Sequence, residues 1–158
     1  MPRIQAPDGT ELFYRDWGAG RPVEFVHGLL LSSDMWRYQM MHLSGHGWGA
    51  VAYDRRGHGR SDDPGTGYEF DTLADDLAAV LDGLDLTGVT LVGHSMGGGE
   101  IARYLSRHDH RRVARIVLVS STVPRLGVGP DAAAAHPRHA ADQLRPLGGR
   151  ERGPVVRR

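Results

Sequence analysis

Residues Val89-Thr90-Leu91-Val92 form an apolar run, and Gly93-His94-Ser95-Met96-Gly97 follows it directly. The pattern G-x-S-x-G between a strand and a helix holds a serine on a sharp, strained turn. The chemistry such a turn suits is attack by a hydroxyl on an acyl carbon. Small neighbours are required two residues to either side, and Gly93 and Gly97 supply them, with Gly98 extending the bare surface. The turn lifts the Ser95 hydroxyl to the carboxyl edge of a sheet, above a helix N-terminus. There the Met96 amide points at an oxyanion forming on a substrate. Two other readings compete. A dinucleotide-type phosphate loop needs glycine where Ser95 stands, and no G-K-[ST] is present. A tight turn with an incidental serine stays open on this motif alone.

Two further clusters bear on the same chemistry. Val26-His27-Gly28-Leu29 ends an earlier strand. Gly28 allows backbone amides to approach a ligand closely, which makes the Leu29 amide a candidate second oxyanion donor. A plain strand-to-loop turn is the alternative. Asp54-Arg55-Arg56-Gly57-His58-Gly59-Arg60-Ser61-Asp62 follows another strand and suits a tight, strongly hydrogen-bonded turn, so its charges are expected to be architectural. A serine hydroxyl also needs a base. Of the nine histidines, His27 and His58 belong to these two clusters. His94 adjoins Ser95 on the turn, where neighbouring side chains point apart. His42 and His46 read as surface residues. His108 and His110, with Asp109, end the helix after Ser95, and His136 and His139 lie in a biased tail. None is identified as a base, no triad acid is identified, and no metal site is expected from two histidines around one aspartate.

The elements that would position these residues alternate. Glu11–Asp16 reads as a strand after the turn Pro7-Asp8-Gly9. Val23–Val26 is a short apolar strand with Glu24 as its anomaly. Asp34 is expected to cap a helix carrying Met35, Trp36, Met40, Met41 and Leu43. Ala50–Tyr53 is a buried strand. Asp71 is expected to cap an amphipathic helix with Leu73, Leu77, Val80, Leu81 and Leu84 inward and Asp75, Asp76 and Asp82 largely outward. The strand at Val89–Val92 leads to a helix over Met96–Arg107, and Val113–Ser120 closes the series. Strand alternating with helix predicts an α/β fold with a mostly parallel sheet covered on both faces. The last run is nearly all apolar. Such strands are usually internal to a sheet, and as an edge it would invite association with another chain.

The chain has 158 residues with zero formal charge, all nineteen cations being arginine. That balance gives no electrostatic case for nucleic acid or an acidic membrane surface. No cysteine excludes a thiolate nucleophile or a disulfide framework. No secretory leader or membrane span is visible, so a cytoplasmic location is expected. Residues 124–158 are rich in Ala, Arg, Gly and Pro, and every aromatic lies at or before Tyr104. They are predicted to be a poorly ordered tail with one short helix around 132–144. Their composition fits either an out-of-frame reading of GC-rich DNA or an unusual lid or linker.

The three motifs, in this order and spacing, resemble the α/β-hydrolase superfamily. Within it the sequence is most similar to bacterial cofactor-free haloperoxidases and arylesterases. The text that carries the resemblance is D-G-T-E-L-F-Y-R-D-W-G (8–18), H-G-L-L-L-S-S-D-M-W (27–36), Y-D-R-R-G-H-G-R-S (53–61), D-T-L-A-D-D-L (71–77), G-H-S-M-G-G-G-E (93–100) and R-I-V-L-V-S-S (115–121). It spans residues 3 to 123, with Leu29 standing where these enzymes usually carry an aromatic. The resemblance implies a serine nucleophile, Ser95, that forms an acyl-enzyme from a small ester. Water resolves the acyl-enzyme, or hydrogen peroxide resolves it to a peracid, without cofactor or metal. It implies the Leu29 and Met96 amides as the oxyanion hole. In the family the order is Ser, acid, His, with the last two after further strands. Residues 1–123 are therefore expected to form the N-terminal portion of such a domain, with little or no turnover. A non-catalytic fragment or binding remnant is the alternative.

Overall fold

A computed structural model of the protein describes residues 1–121. Six strands form one sheet in the order β1-β2-β4-β3-β5-β6. They are β1 (Arg3–Gln5), β2 (Glu11–Trp17), β3 (Arg21–Val26), β4 (Trp48–Tyr53), β5 (Val89–His94) and β6 (Val113–Val119). The β1–β2 and β2–β4 pairs are antiparallel, and β4, β3, β5 and β6 run parallel. The mostly parallel α/β sheet is the one expected. The three-residue β1 was not foreseen, being too short to show a period. The predicted tail at 124–158 lies outside the described residues.

Side chains alternate across the sheet, so each face has its own core. Leu12, Val26, Tyr53, Val89 and Leu91 pack with Ala74, Leu77, Val80 and Leu81 of α2 (Phe70–Gly83) and with Ile101 and Tyr104 of α3 (Met96–Arg107). On the opposite face Val23, Phe25, Ala50, Ala52 and Val92 pack with Trp36 and with Met40 of α1 (Arg37–Ser44). Met41, expected on the inner side, is 61% exposed.

Three charged residues differ from expectation. Ser32 caps a single turn at Ser33–Trp36 ahead of α1, and Asp34 sits within that turn. The Asp34 carboxylate is taken by Arg15 at 2.5 Å and Arg60 at 3.1 Å. Glu69 is the residue before α2, and Asp71 lies in the first turn with its carboxylate on Arg103 at 2.5 Å. Asp76 is buried, because both of its oxygens accept from Arg56, at 2.6 and 2.7 Å. A bidentate guanidinium partner is what allows a carboxylate to leave water.

β6 forms one edge of the sheet among the described residues. Ile116, Val117, Leu118 and Val119 are each about two-fifths exposed, so both of its faces meet solvent.

Candidate functional site

Ser95 joins β5 to α3 with φ 51° and ψ −118°. A side chain at positive φ costs about 1–3 kcal/mol and persists only where the surroundings enforce it. The enforcement is visible on both sides. The Ser95 amide donates to the Val119 carbonyl at 3.1 Å, and the Gly98 amide donates to the Ser95 carbonyl at 3.1 Å. A Cβ at Gly93 would stand 2.8 Å from the Gly98 nitrogen and 2.9 Å from the Gly97 carbonyl carbon. A Cβ at Gly97 would stand 2.5 Å from the Val26 carbonyl oxygen, and one at Gly98 would strike Ser121. The glycines let α3 start directly against the ends of β3 and β6.

The end of β3 lies beside this turn. A Cβ at Gly28 would be 2.8 Å from His94 Nδ1 and 3.3 Å from Ser95 Cβ. The loop carrying the Leu29 amide thus passes against the Ser95 turn. Among the described residues, neither the Leu29 amide nor the Met96 amide has a hydrogen-bond acceptor. Two free N–H donors flanking a partly exposed hydroxyl can bind an oxyanion. The Leu29 side chain is 56% exposed, and Leu30 holds φ 59°.

Both histidines of the surrounding turns are occupied. His27 Nε2 accepts from the Arg55 amide at 2.9 Å, so Nδ1 carries the proton and donates to the Gly28 carbonyl at 2.7 Å. Burial, with Arg55 adding, holds the His27 pKa down to about 3. His58 Nε2 accepts from the Leu30 amide at 3.3 Å, and its Nδ1 meets the Arg56 carbonyl at 2.9 Å. His94 presents its ring edge-on to Trp36, centroids 6.5 Å apart, and its Nδ1 is buried without a partner. His42 and His46 stack on each other, and His108 bonds Asp75 at 2.7 Å. Among the described residues, no imidazole is hydrogen-bonded to the Ser95 hydroxyl, and no group of three His, Asp or Glu residues is arranged to hold a metal.

Beneath the site lies a buried charged cluster that composition alone did not reveal. Arg55 Nε donates to Glu100 Oε2 at 2.7 Å, and Arg55 Nη2 donates to the His27 carbonyl at 2.8 Å. The Tyr53 hydroxyl donates to the other Glu100 oxygen. Burial lowers the Arg55 pKa to about 10, which leaves it cationic at neutral pH. Glu24 is fully buried on the same face of β3 as Val26, and neither of its oxygens has a partner. Burial, with Asp16 adding, pushes its carboxyl well above the usual range. The signal was present as an acid inside an apolar strand. Its charged neighbours Asp16 and Glu100 lie on β2 and α3, a grouping that no local pattern encodes.

A mostly parallel sheet with a strained serine at a strand-to-helix turn defines the α/β-hydrolase architecture. The family profile described as alpha/beta hydrolase fold matches residues 21–148, past residue 123 where the sequence motifs stop. The chain belongs to this family. It is 52% identical over 126 residues to a non-heme chloroperoxidase of Streptomyces lividans, covering 78% of this chain and 46% of that protein. It is 46% identical over 126 residues to a bifunctional esterase/perhydrolase of Acinetobacter calcoaceticus, with the same two coverages. Among solved structures, an esterase from Exiguobacterium antarcticum superposes with a TM-score of 0.76 at 41% identity, covering 77% of this chain and 46% of that one. The chain spans about half the length of the curated relatives it matches. Among the described residues, no helix is long and apolar enough to cross a membrane.

Proposed function

We propose that this chain carries the nucleophile and oxyanion hole of a cofactor-free serine hydrolase acting on small carboxylic esters. The observation that supports this most is the Ser95 backbone at φ 51°, held beside two amides without acceptors. The Ser95 oxygen attacks the ester carbonyl, and the Leu29 and Met96 amides receive the charge that develops on its oxygen. The Ser95 proton passes to solvent water and the departing alkoxide takes one back, so the alcohol leaves and the acyl group stays on Ser95. Water then returns a carboxylic acid, or hydrogen peroxide returns a peracid. The peracid route is the one suggested by similarity to a chloroperoxidase and a perhydrolase.

Turnover by this chain alone is expected to be very low. Nothing among the described residues takes the Ser95 proton. In a serine protease, loss of a triad member leaves roughly 10³–10⁴-fold catalysis over water. The same observation favours a second reading, a non-catalytic fragment or binding remnant that keeps the turn without its chemistry. Hydrolysis of p-nitrophenyl acetate by the wild-type chain and by Ser95→Ala separates them. A weak rate that Ser95→Ala abolishes supports the hydrolase reading. Equal rates in both proteins support the non-catalytic reading, and turnover within tenfold of a full-length relative overturns the expectation of weakness.

A further inference from the structure

We infer that Arg55 is a positioning residue that holds the two proposed oxyanion donors in register. The inference rests on the reading of the Leu29 and Met96 amides given above.

The two amides come from separate elements. Leu29 follows the end of β3, and Met96 begins α3. No hydrogen bond among the described residues links Leu29 to Met96 directly. Arg55 reaches both elements at once. Its backbone amide and its Nη2 hold the His27 ring and carbonyl at 2.9 and 2.8 Å. The His27 ring in turn holds the Gly28 carbonyl, one residue before Leu29. The same guanidinium holds Glu100, four residues after Met96, through Nε and Nη2 at 2.7 Å each. Tyr53, two residues before Arg55, grips the other Glu100 oxygen.

A planar guanidinium presents its donors in a fixed fork, so the distance between its two acceptors is set by covalent geometry. Arg55 is 1% exposed, so water does not compete for the Nε and Nη2 contacts, and Nη1 is buried without a partner. Shift α3 along its axis, and Glu100 must drag Arg55 and hence His27 with it. Lysine has one donor point and cannot reproduce that spacing.

The test uses the full chain and two independent readouts. The first is the ¹⁵N–¹H spectrum of wild type, Glu100→Gln, Arg55→Met, Arg55→Lys and the Glu100→Gln/Arg55→Met double variant. Glu100→Gln is expected to move the His27, Gly28 and Leu29 amide resonances, and the double variant to move them no further than Arg55→Met does. If Glu100→Gln leaves Leu29 unmoved, the coupling does not exist. If it moves Leu29 equally with and without Arg55, the coupling runs elsewhere. Should Arg55→Met not fold, the Glu100→Gln single variant and the same cycle on Arg55→Lys carry the comparison.

The second readout is the rate at which a fluorophosphonate labels Ser95, which draws on both amides. Arg55→Lys is expected to lower it about 10²-fold, the lower end of the loss for one oxyanion donor, measured well below both thermal midpoints and with helix content kept. An unchanged rate overturns the positioning role. Absence of labelling in the wild type, with spectral coupling intact, places the failure in the nucleophile reading and leaves Arg55 coupling the two loops.

Discussion

Replacing Glu24 with methionine is expected to stabilise the protein, by an amount that grows with pH. The side chain is fully buried in β3, and both oxygens lack a hydrogen-bond partner. A buried polar group left unpaired costs about 1–3 kcal/mol, and methionine fills a similar volume without that cost. The pH-dependent part has a definite sign. In the unfolded chain a glutamate ionises near pH ~4.3. In the fold, burial raises its pKa, so the folded state binds more protons above that pH. Stability therefore falls as pH rises, by up to about 1.4 kcal/mol per pH unit, until the folded carboxyl itself ionises. The Glu24→Met advantage should be about 1–3 kcal/mol at pH ~4 and widen at each step above it. Glu24→Gln removes the titration and keeps the unpaired atoms, so it should gain only the widening part. Urea unfolding followed by tryptophan fluorescence at several pH values measures both differences. An advantage that does not change with pH, or a Glu24→Met protein less stable than wild type at neutral pH, refutes the reasoning.

Three shorter expectations follow from the same geometry. Ser95→Gly should raise stability by about 1 kcal/mol, since glycine adopts the observed positive φ without the strain, whereas Ser95→Ala should not; chemical denaturation reads the difference. His27 should stay neutral through mild acid, with its folded pKa held to about 3, so its ring resonances should not shift between neutral pH and pH ~4.5; its contribution to stability is whole above the unfolded value and is lost as pH falls toward the folded one. The exposed edge of β6 should promote association with another strand, and Val117→Lys should shift sedimentation toward the monomer without changing the fold.

The parts of this fold that show in the sequence are those whose causes are local. The turn at Ser95 is written in consecutive residues, and the helix after it runs over Met96–Arg107 as the pattern implies. The amphipathic period of α2 likewise places Leu73, Leu77, Val80 and Leu81 inside. What escaped depends on partners far along the chain. Asp76 looked like a solvent-facing acid because Arg56, twenty positions away, is adjacent only after folding. Asp34 and Asp71 looked like caps, since a residue type suited to capping is equally suited to a guanidinium. Glu24 was visible as an anomaly, but its setting beside Asp16 and Glu100 needed the sheet and α3 together. The site was legible to a similar degree. Gly93, Gly97 and Gly28 announce close approaches, whereas the Arg55 link between the two loops has no local signature.

The most direct measurement is a diffraction structure of the chain after reaction with a small aryl phosphonate. The account predicts one covalent bond, to Ser95 Oγ, and a phosphoryl oxygen within about 3 Å of both the Leu29 and Met96 nitrogens. A label on any other side chain, or a phosphoryl oxygen turned to solvent away from those amides, contradicts it.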